Sequence, residues 1–173
     1  MKKLFIALVF IMGCTAMQAQ WGIKGGFNFA NLKGKNTDDL NVITAWHLGV
    51  VYENHITNFF SFQPELLYSV QGAKLKDTEY KLNYFNVPLM LKLYPTAGFN
   101  IQVGPQLGML VSESDNFEGF KSETFDFGLA AGLEFFVTDG FFIQARYYAG
   151  GQKVSSNTDI KNRVVSASIG YMF

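Results

Sequence analysis

Charge is scarce in this chain: Asp, Glu, Lys and Arg make up 16% of its 173 residues, against about 25% in ordinary soluble domains. Too few charges remain to cover a water-facing surface, and aromatic residues, also 16%, take their place. Cys14 is the one cysteine, so a disulfide framework is excluded. His47 and His55 are the only histidines and are poor material for a metal site. We expect neither metal nor cofactor. The apolar run Leu4–Met12, nine residues, is too short to cross a bilayer as a helix, which needs about 20. Basic and acidic residues number 14 each, and that balance gives no reason to expect nucleic acid as a partner.

What the sequence has in abundance is alternation. Lys2 and Lys3, the apolar run and a small-residue end at Ala19 have the layout of a secretory signal peptide, so residues 1–19 are read as a leader and 20–173 as one domain. Ile11-Met12-Gly13-Cys14 is similar to a lipoprotein processing box, and cleavage there would place a lipid on Cys14; cleavage after Ala19 fits the ordinary pattern better.

Eight strands follow, at Trp21–Asn31, Val42–Glu53, Phe59–Gln71, Lys81–Tyr94, Phe99–Val111, Phe125–Val137, Phe141–Gly150 and Arg163–Phe173. Phe99, Ile101, Val103, Leu107, Met109 and Val111 oppose Asn100, Gln102, Gly104, Gln106 and Gly108, and the other strands repeat the pattern. With the first loop taken as Lys33–Asn41, the even-numbered connections span five, four and three residues and the odd-numbered ones nine, nine, thirteen and twelve. Short periplasmic turns, longer extracellular loops and strands of ten or more residues are those of a transmembrane barrel. The polar faces carry Gly, Gln, Asn and Ser more than charge, and an eight-stranded interior could not hold so many Phe, Leu and Val side chains, so the apolar faces point outward to lipid. The expected fold is an all-β, eight-stranded antiparallel transmembrane barrel.

Two irregularities stand out. Pro64, Pro88 and Pro105 fall inside strands and are expected at bulges or near strand ends. The turn Pro95–Gly98 would set inward Lys92 against outward Ile101, so one boundary there is off by one.

Gln63-Pro64-Glu65-Leu66-Leu67-Tyr68-Ser69, Tyr84-Phe85-Asn86-Val87-Pro88-Leu89-Met90-Leu91-Lys92-Leu93-Tyr94-Pro95 and Gly104-Pro105-Gln106-Leu107-Gly108, with the final Phe173, resemble the small "porin family" outer-membrane barrels of Bacteroidota, which include PorT-like proteins. The resemblance implies export to the outer membrane and treats the prolines as family features. It names no ligand.

Lys24, Glu65, Lys92, Asp126, Glu134 and Arg146 are the charges placed inside, three of each sign. They read as a paired network filling a narrow lumen rather than a gate. The hairpin at Thr138–Gly140 sets Glu134 opposite Gln144 and diagonal to Arg146, which is expected to pair it. Spacing sets no Ser and acid beside His47, so it is read as structural and the protein as no enzyme, with a lipid-modifying enzyme and a soluble barrel as lesser alternatives. The acidic loop Ser112–Thr124 is a possible partner surface. The expected role is structural, adhesive or partner-binding, carried by the long loops, with a narrow porin as the first alternative. Expected partners are outer-membrane lipid, the assembly machinery and an unknown protein at the loops. Ile169, Tyr171 and Phe173 form an alternating apolar end similar to the signal read by that machinery. Deleting Phe173 is expected to reduce outer-membrane insertion more than it destabilises the folded barrel; normal outer-membrane levels of the truncated chain would refute this.

Overall fold

Alternating apolar and polar residues commit the chain to strands with two unlike faces, and a computed structural model, describing residues 19–34, 40–75, 78–113, 124–152 and 160–173, shows how they close. The strands are β1 (Ala19–Gly34), β2 (Leu40–Asn41), β3 (Ile43–His55), β4 (Phe60–Leu75), β5 (Thr78–Thr96), β6 (Phe99–Glu113), β7 (Phe125–Phe136), β8 (Phe141–Gly150) and β9 (Ile160–Met172). The two-residue β2 continues the wall of β3 beyond Val42, so nine strands make eight walls. The order is β2-β4-β3-β1-β9-β8-β7-β6-β5, and β4 pairs with β5 to complete the ring, all neighbours antiparallel. The last strand meets the first, with Val165 opposite Phe29 and Tyr171 opposite Ile23. A closed ladder leaves no edge to unsatisfied backbone. Most of the leader expected at 1–19, with Cys14, and most of the acidic loop lie outside the described residues.

The apolar faces point outward: Phe27 is 61% exposed, Leu129 60% and Ile169 62%. Rings gather at two heights. Trp21 stacks on Tyr52, and Phe141, Tyr171 and Phe173 form a chain at the short-turn end. Higher up, Trp46, Tyr68 and Phe85 lie side by side with centroids 5.5 Å apart. The first group sits where an interfacial aromatic girdle is expected, and the second lies within the lipid-facing band, Trp46 pairing with Phe27. The lumen is stoppered at the short-turn end by Val51, Phe142 and Met172 and at the long-loop end by Leu32, Ala73, Leu82 and Tyr84.

The prolines do not sit at bulges. Pro64, Pro88 and Pro105 are mid-strand and keep their partners Leu89, Gln106 and Leu129 on one side. Toward the preceding strand the ladder skips, between Val51↔Glu65 and Asn54↔Phe62 for Pro64, and between Pro64↔Leu89 and Leu67↔Asn86 for Pro88. The third gap lies between Pro88↔Gln106 and Leu91↔Val103, where Pro105 faces β5. Register resumes unchanged each time, because the missing N–H deletes one rung without adding a residue. The discrepancy at Pro95–Gly98 is resolved by a shift between Leu93 and Thr96, which seats Lys92 opposite Gln102.

Gly72–Tyr80, expected as a loop, is mostly sheet: Ala73 pairs with Tyr80 and Leu75 with Thr78. Gly72 makes this possible at φ +137°, where a Cβ would lie 1.9 Å from the Tyr80 carbonyl oxygen. Gly72→Ala is therefore expected to destabilise the barrel by about 1–3 kcal/mol, read as a lower urea midpoint in detergent micelles.

Candidate functional site

Strand parity sends Lys24, Glu53, Glu65, Lys92, Glu134 and Arg146 into the lumen, where each is at least 95% buried. Arg146 on β8 reaches straight across to β4 and grips Glu65 with both terminal nitrogens, Nη1 to Oε2 at 2.8 Å and Nη2 to Oε1 at 2.7 Å. Lys24 meets the same carboxylate at 2.8 Å and donates to Gln144 Oε1 at 2.9 Å. Gln63 donates to Glu65 and Arg146 also donates to Gln102. Nearer the short-turn end, Lys92 Nζ lies 2.8 Å from Glu53 Oε2 and 2.6 Å from Glu134 Oε1. Tyr94 donates its hydroxyl to Glu53, and Asn100 donates to Glu134 at 2.9 Å. Gln144 ties the two groups together by donating to Glu134 Oε2 at 2.7 Å. Three cations face three carboxylates at hydrogen-bonding distance. That arrangement satisfies buried charge and fills the bore.

All six residues singled out in the sequence lie in the lumen, yet they are not one cluster. Arg146 pairs with Glu65 across the bore and not with Glu134 beside it; Glu134 is held by Lys92. Parity gives the face of a residue, whereas partners across the lumen depend on strand tilt and stagger. Asp126 stands apart near the long-loop end and accepts from Asn162 Nδ2 at 2.8 Å. Glu53 was missed. Its parity with Ala45, His47 and Val51 pointed inward, but it lay at the expected end of its strand.

His47 has a partner that spacing did not reveal. Ring closure places Ser168 opposite Gly26, itself opposite His47, and Ser168 Oγ lies 2.8 Å from His47 Nε2 while Asn28 Oδ1 lies 2.9 Å from Nδ1. Among the described residues no acid bonds to the group. All three are buried; the cavity of ≈30 Å³ beside Asn28 and His47 has room for a water only, and His47 and Ser168 also border a larger, mostly apolar hollow. His55, in the expected turn, bonds Ser61 at 2.7 Å and lies 3.8 Å from Glu53. No group of three or more His, Cys, Asp or Glu able to hold a metal occurs among the described residues. Ile169, Tyr171 and Phe173 all face outward at the short-turn end, and the Phe173 amide donates to the Trp21 carbonyl at 2.7 Å.

A closed antiparallel barrel, apolar outside and packed with polar side chains inside, is the arrangement of small outer-membrane proteins. A family model described as "Outer membrane protein beta-barrel domain" matches residues 16–150. The chain belongs to that outer-membrane barrel family. Among solved structures its barrel is similar to Neisserial surface protein A (TM-score 0.63, 14% identity, 90% of this chain and 99% of that one). It is also similar to Ail, the attachment invasion locus protein of Yersinia pestis (0.58, 15% identity, 91% and 100%). OprG of Pseudomonas aeruginosa is a further likeness (0.52, 15% identity, 90% and 96%). At these identities the likeness is one of fold. No match is found among curated protein sequences.

The geometry ranks the lumen charges within this outer-membrane barrel. Lys92→Met removes the cation shared by Glu53 and Glu134 and leaves two carboxylates facing each other, whereas Arg146→Met leaves Glu65 with Lys24. Loss of Lys92 is expected to destabilise by about 3–5 kcal/mol and loss of Arg146 by less, measured as urea midpoints in the same detergent; the reverse order would contradict the assignment of partners.

Proposed function

We propose that this protein is a sealed outer-membrane barrel whose role is structural, adhesive or partner-binding and is carried by its long-loop end. The observation behind this reading is the bore itself. Six paired charges span it, apolar clusters stand at both ends, and a cavity of ≈30 Å³ lies between them among the described residues. A pore needs a continuous wet path, and an enzyme needs a reachable nucleophile; Ser168 beside His47 is buried. The likeness of fold to Ail, a protein named for attachment and invasion, is compatible with an adhesive role. Removal of residues 1–19 on export fits this location. The finer assignment to the Bacteroidota porin-family barrels rests on the proline-bearing motifs around Pro64, Pro88 and Pro105.

The test is electrical. Purified barrel in planar lipid bilayers is expected to give no steady single-channel conductance at moderate voltage. Reproducible open-channel steps would overturn the sealed-barrel reading in favour of a narrow porin.

A further inference from the structure

Three cations occupy an unexpected place on the outer wall. β1 and β9 pair so that Lys33 stands directly opposite Lys161, and Arg163 opposite Asn31 lies one step nearer the membrane. Leu32, Asn162 and Val164 are buried in the lumen, so Lys33, Lys161 and Arg163 take the opposite face, in line with lipid-facing Phe29 and Val165. Arg163 is braced on the rim by donating Nη1 to the Gly150 and Asn162 carbonyls at 2.9 and 3.1 Å. No ion pair joins any of the three to an acid among the described residues. Like charges directly opposite across an antiparallel pair are destabilising. An anion between them removes that repulsion.

The position selects the anion. These cations lie at the long-loop end, at the upper limit of the lipid-facing stripe, hence at the headgroup level of the outer leaflet. Below them the wall stays apolar through Phe29 and Val165, then dips where Ala145 pairs with Ala167. The dip belongs to an open, mostly apolar hollow of ≈1080 Å³ lined by Gly25, Phe27, Ala145, Ala167 and Ile169, which reaches down to Tyr171 and borders the lumen residues His47 and Ser168. Arg163 and Ala167 are four residues apart, roughly 13 Å along a strand. A ligand that meets both features carries negative charge at its head and hydrocarbon below. We propose that the β1–β9 seam is a binding site for a phosphorylated lipid of the outer leaflet. The phosphate is held by Lys33, Lys161 and the forked guanidinium of Arg163, and acyl chains lie in the hollow. The site is on the outer wall and is independent of whether the lumen conducts.

Barrel in detergent would be titrated with a diphosphorylated lipid A and, separately, with the same lipid stripped of phosphate, and retained lipid counted by native mass spectrometry. The phosphorylated form is expected to bind at least tenfold tighter. The double variant Lys33→Gln/Lys161→Gln is expected to bind it about thirtyfold more weakly, while Lys33→Arg/Lys161→Arg keeps the affinity. Equal binding of the two lipids to the unsubstituted barrel would overturn the proposal without reference to any variant. So would undiminished binding by the Gln variant with heat-modifiable gel mobility intact, or complete displacement by inorganic phosphate at matched phosphate concentration, which would mean that the acyl chains contribute nothing.

Discussion

A backbone amide facing hydrocarbon has no water to bond, and this constraint governs the structure. It requires that each wall find two neighbours, and hence that the final strand return to the first. The register from Gly22↔Met172 to Gly34↔Ile160 is the joint on which closure depends. The same joint places Ser168 beside His47 and sets Lys33 against Lys161, neither of which local sequence would suggest. Chemistry inside and charge outside are both products of where the ring closes.

The lumen obeys a second constraint, the need of buried charge for a counter-charge. Lys24, Lys92 and Arg146 are matched by Glu53, Glu65 and Glu134, and amides such as Gln144 and Asn100 take up remaining valences. Replacing one member leaves its partner stranded in a low-dielectric bore, so the network acts as a lock on the relative positions of opposite walls. Rigidity of this kind suits a scaffold that presents loops at a fixed height.

Much of this was legible in the sequence because a period of two has few rivals. Alternation at Phe99–Val111 fixed strand, face and membrane exposure together, and the inward placement of the six charges followed. Three things were not legible. The height of a residue across the lumen depends on tilt and stagger, which is why Arg146 was given the wrong carboxylate. Strand ends are set by packing as well as composition: polar Gly72–Tyr80 stayed in the sheet because Ala73, Leu82 and Tyr84 have a stopper to form. A missing donor usually shifts or ends a ladder, which is why sequence alone puts the prolines at bulges or near strand ends; here the ladder drops a rung and continues.

Those dropped rungs are not spread around the barrel. They lie on three adjacent seams, β3–β4, β4–β5 and β5–β6, while β6–β7, β7–β8, β8–β9, β9–β1 and β1–β3 run unbroken between their first and last partners. A tube stitched closely along one flank and loosely along the other has fewer backbone bonds resisting distortion on the loose flank than on the flank that carries the proposed lipid seam. The barrel thus has a hinge side and a spine side, written by three imino acids.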